Sequence, residues 1–349
     1  MNHPASPVAD QSVDIVLAPI LDRWDCKWDE LAGSCPQSGV MQSSAWMRFK
    51  RLEGYEAYRV GFFRSEVLIG GATLFDYPYA GQGGFIICPE GPVLPWNDVE
   101  TSRTCLRLLE KYAQEVADRS GDIGLRIEPQ LCPPAPSLLR NWSVAPVVLT
   151  PEQTLFLDLT LSHDEILAQM KPKGRYNLKL AIRHGVTVRK SRNIYDVTEF
   201  YRLFSETATR NNFFAEPFGF FLNLGASFFG SGQAELYFAD YQGQTLGSIL
   251  VTTFGIRATY LYGGSTSVHR EVMPNYLLQW EAIKSTKEAG CIEYDFFGYD
   301  PFGTSDHLYA GISRFKKQFG GRSVETIGAR DRVFYDNLAA MVAKQMKNA

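Results

Sequence analysis

The sequence predicts two similar α/β domains fused in tandem. One structural phrase is written twice, apolar strands alternate with amphipathic helices, and 349 residues exceed what a single core holds. In the first copy the strand-turn-strand Val60–Phe75 precedes an irregular stretch, an amphipathic helix around Cys105–Arg119 and the strand Ile123–Glu128. In the second, Leu236–Asp240, a Gln-Gly-Gln turn and Leu246–Phe254 form the hairpin. The strand Thr259–Tyr262 then leads through a loop to the helix Asn275–Ala289, a Gly290 stop and the strand Ile292–Phe297. Residues 1–153 with 324–349 are expected to form one domain and 154–323 the other. A ligand cleft is expected between or within them.

Each element has a local reason. Trp24–Ala32 has a short helical pattern, and Gln42–Lys50 another, with Ser43 or Ser44 as its N-cap. Asp76–Asn97 is rich in glycine, proline and aromatics, which reads as a long functional loop. Pro133–Pro136 marks a turn, and Leu155–Leu159 opens the second half as a strand. Ser162 and Glu165 form a capping box. The helix they start ends near Met170, Pro172 restarts it, and Gly185 stops the second stretch after His184. Val197, Phe200, Tyr201 and Phe204 recur at helical spacing within Asp196–Arg210.

Composition narrows the function classes. At 45% hydrophobic and 21% charged residues the chain is an ordinary globular protein, and no apolar run is long enough to span a bilayer. The N-terminus lacks the pattern of a secretory signal, so the cytoplasm is the expected compartment. Six scattered cysteines (Cys26, Cys35, Cys88, Cys105, Cys132, Cys291) imply reduced, mostly buried thiols rather than a zinc site or a disulfide framework. The net charge of −3 excludes a generally basic nucleic-acid binder. Five histidines (His3, His163, His184, His269, His307) form no close pairs, no local motif builds a catalytic triad, and no phosphate-binding glycine loop occurs, Gly81–Gly84 being too short. No metal and no cofactor are expected.

Two stretches carry the charge and chemistry. Lys171–Arg192 holds Lys171, Lys173, Arg175, Lys179, Arg183, Arg189, Lys190 and Arg192 with no acidic residue. On a helix, Arg175, Lys179 and Arg183 share one face, where like charges repel unless an anion sits opposite. A solvated face is the plain explanation; phosphates are the sharper one. Near the end, Tyr294–Asp300 and Ile312–Gly321 describe a strand ending at the mouth of a sheet, followed by aromatics and paired lysines. Phe315 and Phe319 flank Lys316, so a desolvated cation there could stabilise an oxyanion, against the alternative of a surface lysine on an amphipathic helix. Tyr260 and Tyr262 are expected on opposite faces of one strand, and as bare tyrosines to be packing residues.

These segments resemble the Fem aminoacyltransferases, which are two fused acetyltransferase-like (GNAT) domains with mixed sheets. The resemblance is carried by Gln42–Lys50, Leu125–Pro129, Lys173–Gly185, Tyr260–Ser265, Pro274–Tyr276 and Arg314–Gly320, in family order over nearly the whole chain. It implies transfer of an amino acid from aminoacyl-tRNA to the side-chain amine of a peptidoglycan precursor, UDP- or lipid-linked, by a monomer with possible peripheral membrane contact. Lys316 matches the lysine important to transfer, and Glu128 an acidic residue near the acceptor; Glu128 or Asp295 would accept a proton. Lys50 and Tyr262 match positions at the nucleotide or phosphate end of the acceptor, and Arg314 and Phe220 complete the substrate-binding set. Lys171, Lys173, Arg175, Lys179 and Arg183 fall where tRNA is expected. The chain departs from the pattern within Arg210–Phe221, where Glu216 and Phe220 align with an Arg and a Tyr of relatives that use the UDP-linked acceptor. A carboxylate there repels a diphosphate. The rivals are an acyl-CoA-dependent N-acyltransferase and a non-catalytic binding module. The loop Ser265–Pro274, bulky, acidic and without glycine, does not suit the pyrophosphate of CoA.

Overall fold

A computed structural model describes residues 15–77, 84–303 and 310–335. In the first half the strand β1 (Ile15–Pro19) precedes the helices α1 (Asp25–Ser34) and α2 (Ser44–Leu52). The strands β2 (Ala57–Arg64), β3 (Val67–Tyr77) and β4 (Phe85–Pro89) follow, then the long helix α3 (Val99–Ser120), β5 (Gly124–Glu128) and the two-residue β6 (Ser143–Val144). Ser43 caps α2, accepting from the Trp46 amide at 3.0 Å. The expected loop Asp76–Asn97 is corrected in part. Residues 78–83 lie outside the described set, but Phe85–Pro89 is a fully buried strand, and burial on both faces erases the alternation that would have signalled it.

The second half opens with β7 (Gln153–Asp158), α4 (His163–Gln169), α5 (Pro172–His184) and β8 (Thr187–Ser191). The helices α6 (Val197–Asn211) and α7 (Phe218–Phe228) lead to β9 (Ala234–Tyr241), β10 (Gln244–Phe254) and β11 (Arg257–Ser265). The helix α8 (Pro274–Glu288), β12 (Glu293–Asp295), α9 (Ala310–Lys316), β13 (Arg322–Glu325) and β14 (Arg330–Val333) complete it. The Ser162–Glu165 capping box is formed, Pro172 sits at the start of α5, and Gly185 ends that helix at φ +81°. The last strand of the second copy is shorter than expected, because the chain turns away at Phe297, whose φ is +57°. The thiols are free, but only Cys88, Cys105 and Cys291 are buried; Cys35 is half-buried and Cys26 and Cys132 are exposed, which corrects the expectation of mostly buried thiols.

The duplication is visible in the sheets. One runs β1-β2-β3-β4-β5-β14-β6, the other β8-β9-β10-β11-β12-β7-β13, so the two copies place their strands in the same order. In each, the fourth and fifth strands are the parallel pair and a long helix, α3 or α8, connects them. This is a tandem GNAT-like fold with mixed sheets.

The two halves share a core. Trp28, Trp46, Phe49 and Phe75 pack in one cluster with Phe200, Phe220, Phe221, Phe228 and Phe254. Phe49 meets Phe220 edge-on at 4.9 Å, and Trp46 meets Phe228 at 6.2 Å. The backbones also touch: a Cβ on Gly33 would lie 2.8 Å from Cα of Gly255, which itself has φ +54°.

Candidate functional site

The two parallel pairs differ in length. In the first sheet β4 and β5 stay paired through five residues, from Phe85–Gly124 to Pro89–Glu128. In the second, β11 and β12 pair only at Arg257–Glu293, Ala258–Tyr294 and Thr259–Asp295, and then part. Backbone groups past that point need other partners. Lys316, at the end of α9, supplies one: its ammonium donates to the carbonyls of Phe297 at 3.0 Å and Gly298 at 2.6 Å. The same nitrogen lies 5.6 Å over the ring of Tyr260, and the side chain is 4% exposed. Burial pulls its pKa down to about 7, against the pull of Asp295. A strand end that opens, and a buried lysine held against its carbonyls, make a site suited to a developing negative charge.

Asp295 and Glu128 line one cavity of about 270 Å³ between the halves. Thr154, Phe156, Glu293 and Asp295 come from alternating positions of β7 and β12. Residues 36–37 and 128–132 of the first half close the other side. The two carboxylates the sequence left undecided are held very differently. Glu128 uses both oxygens: Oε1 accepts from the Leu149 amide at 2.9 Å, and Oε2 from the amide and hydroxyl of Thr150 at 2.8 and 2.7 Å. Asp295 takes its hydrogen bonds, from the Thr154 hydroxyl and the Phe297 amide (2.7 Å), on Oδ1 alone. Burial raises the pKa of both; for Asp295, Arg257 is the strongest opposing influence.

The sequence pattern missed the rest of this wall. Arg257, 7% exposed, donates to the carbonyls of Ser38 and Pro36, both at 3.1 Å, to Gln130 and to Glu293, so it bridges the halves. Arg322 reaches the other oxygen of Glu293 at 2.9 Å. The two guanidinium groups lie 4.8 and 5.1 Å from the ring of Phe156. The available signal was polar residues at alternate positions of otherwise apolar strands, as in Glu293-Tyr-Asp295.

Lys50, Tyr262 and Phe220 form a second group. The ammonium of Lys50 sits 3.8 Å over Tyr55 and 5.2 Å over Tyr77, and the side chain is 7% exposed. Burial lowers its pKa to about 8, while Glu53 and Glu216 pull the other way. Phe220 lies 5.8 Å from Tyr262 and 4.9 Å from Phe49. A bulge links the two groups. Tyr260 and Tyr262, two apart, would share a face of a regular strand. The register shifts between Leu250–Tyr262 and Val251–Tyr260, which sends Tyr260 toward Lys316 and the α8 core and Tyr262 into the aromatic cluster. They do point apart, and the bulge is why. Arg314 is exposed on α9.

The basic run divides into two. Arg189, Lys190 and Arg192, on and just after β8, face Asp196, Asp240 and Glu235 and are structural. Lys171, Lys173, Lys179 and Arg183 are exposed and make no ion pair among the described residues. Arg175 leaves the expected cationic face, because its guanidinium turns back to the carbonyls of Ala168 (3.1 Å) and Met170 that α4 leaves unpaired. In the loop before α8, His269 and Met273 adopt left-handed conformations, Glu271 is exposed, and Pro274 removes a donor at the helix start. Among the described residues no group of His, Cys, Asp and Glu is placed to hold a metal, and no helix is long and apolar enough to cross a membrane.

Comparison with known proteins agrees with this architecture. Residues 26–133 match the model of the FemAB family, and residues 172–317 that of an acetyltransferase (GNAT) domain. A lipid II:glycine glycyltransferase of Staphylococcus epidermidis (strain ATCC 35984) is 22% identical over 395 aligned positions, covering 90% of this chain and 93% of that protein. Its counterpart in Staphylococcus aureus (strain COL) is 21% identical, with 90% and 92% covered. The solved structure of FemX superposes with a TM-score of 0.85 at 20% identity, over 94% of this chain and 99% of that one. A tandem GNAT protein of the clavulanic acid pathway gives 0.56 at 13% identity, over 92% and 98%.

Proposed function

We propose that the chain is an aminoacyltransferase of the FemAB type, moving an amino acid from aminoacyl-tRNA to an amine of a peptidoglycan precursor. The relatives' names, lipid II:glycine glycyltransferase, support acyl transfer in cell-wall cross-bridge formation. The observation that carries the assignment to this site is the buried Lys316 ammonium at the opening between β11 and β12, beside Asp295.

The ester of an aminoacyl-tRNA is already activated, so positioning and charge stabilisation supply most of the catalysis. The deprotonated acceptor nitrogen attacks the ester carbonyl carbon. Lys316 stabilises the oxygen as it becomes negative. The C–O bond to the ribose then breaks, and the 3′ oxygen leaves with the proton that the attacking nitrogen gives up on becoming an amide. Asp295, which lines the cavity and takes its hydrogen bonds on Oδ1, accepts the proton of the acceptor ammonium; Glu128, with both oxygens engaged, holds the Leu149–Thr150 turn instead. Around Lys50 one cation meets Glu53 and Glu216, which suits a diphosphate poorly, so the acceptor's diphosphate binds away from this lysine; the relatives' name, lipid II:glycine glycyltransferase, favours a lipid-linked acceptor.

The acyl-CoA reading needs amide donors at the start of α8. Pro274 and the exposed Glu271 oppose it. Purified protein offered alanyl-, seryl- and glycyl-tRNA with UDP- and lipid-linked acceptors, and acyl-CoA in parallel, distinguishes the two. Transfer from tRNA to the lipid-linked acceptor is expected.

A further inference from the structure

From the exposed stripe of α5 we infer a track for single-stranded RNA: the unpaired 3′ end of the donor runs along this helix and stacks a base on Tyr176. The inference rests on the proposed tRNA donor and adds a path and a base contact to it. Lys173, Tyr176, Lys179 and Arg183 follow one another at three- and four-residue steps, so they form a single stripe. All four are exposed, Tyr176 at 57%. The guanidinium of Arg183 lies 5.9 Å over the Tyr176 ring, which stiffens an aromatic face that packs against nothing in the core.

The charge on this stripe is uncompensated. The neighbouring cations of β8 are matched by Asp196, Asp240 and Glu235, whereas none of the stripe's cations has an acidic partner among the described residues. Its own companion Arg175 is taken by the end of α4. A row of cations around one exposed aromatic ring is the combination that binds single strands: charge follows the backbone, and the ring takes a base without reading its sequence.

The stripe also points at the reaction centre. The start of α5 is pinned to the segment after Lys316: the Lys171 amide donates to the Gln318 carbonyl at 3.0 Å, and a Cβ on Gly174 would lie 2.5 Å from that oxygen. From there the helix extends about 20 Å, room for several stacked nucleotides at roughly 3.4 Å each. A 3′ end delivered to Lys316 would have its preceding nucleotides over Lys173, Tyr176 and Lys179.

The test is equilibrium binding of an uncharged acceptor-stem RNA hairpin, with and without its single-stranded 3′ extension, read by fluorescence anisotropy over a salt series. Wild type should prefer the extended hairpin. Tyr176→Ala should weaken binding of the extended form roughly 5- to 150-fold, with its salt slope unchanged. Tyr176→Phe should bind like wild type. Lys179→Ala should reduce the slope of log affinity against log salt by roughly 0.7. Equal binding of the extended hairpin by wild type and Tyr176→Ala overturns the track while leaving the tRNA donor standing. No RNA binding by wild type overturns both. Association of wild type with anionic phospholipid vesicles instead, lost in Tyr176→Ala, would make the stripe a membrane contact and also overturn the track.

Discussion

Lys316 is legible in the sequence as a lysine against an aromatic wall, but its partners are not. The carbonyls of Phe297 and Gly298 reach it only because β12 ends at Asp295, and no pattern in Tyr294–Asp300 announces that ending. Its titration makes a stability prediction. In the unfolded chain a lysine keeps its proton to about pH 10.4; folded, it loses it near 7. Between these values only the unfolded state is charged, so folding stability should rise with pH from about 7 to 10, the penalty of burying the charge being full below 7. Denaturant unfolding of Lys316→Met should show that rise flattened; an unchanged slope would mean the amine is not desolvated. The same titration should make kcat/KM fall as pH climbs through about 7, where Lys316 loses the charge we propose it lends to the oxyanion. We propose Asp295 rather than Glu128 as the base on hydrogen bonds the sequence does not reveal, since each is a buried carboxylate at a strand end. Asp295→Asn should lower kcat by about 10²-fold or more with the fold intact. Glu128→Gln should keep turnover but cost about 1–3 kcal/mol of stability, because an amide cannot accept at both positions. Urea titrations beside single-turnover assays separate the two; equal losses of kcat would contradict the assignment.

At the level of elements, amphipathic helices and hairpins marked by their turns were readable, and buried or aromatic segments without such marks were not. The capping box at Ser162 and the stop at Gly185 are local chemistry and formed as expected. β4 lacks alternation because both its faces are buried, and α7, Phe-Gly-Phe-Phe-Leu-Asn-Leu-Gly-Ala-Ser-Phe, carries too few polar residues to show a helical period. The bulge at Leu261 was not legible either, since it depends on pairing with β10. The cationic face Arg175–Lys179–Arg183 had correct spacing, yet an unpaired helix end captured its first member. The turn between β10 and β11 meets α1 backbone to backbone, where a Cβ on Gly33 would lie only 2.8 Å from Cα of Gly255. Gly33→Ala should therefore destabilise by about 1–3 kcal/mol through forced separation of the two elements. Thermal unfolding measures it, and an unchanged melting temperature would mean that this contact yields without cost.

Across the whole molecule the duplicated sheets differ at the proposed site. The order of strands is the same in both, but β4 and β5 are closed along their length whereas β11 and β12 open after three pairs. The first copy contributes walls instead: Gln37, Glu128 and Gln130 close the cavity from the far side, and Arg257 ties them to the second sheet. The order of elements was readable from the repeat, while the asymmetry between the copies was not, because it lies in hydrogen bonds that fail to form. The central claim is acyl transfer from a tRNA ester at Lys316. Its most direct measurement is single-turnover transfer of radiolabelled glycine from glycyl-tRNA to a lipid-linked acceptor, comparing wild type with Lys316→Ala and running labelled acyl-CoA in parallel. The account predicts product from the tRNA ester alone and its near-complete loss in Lys316→Ala; product from acyl-CoA alone, or undiminished transfer by the variant, would contradict it.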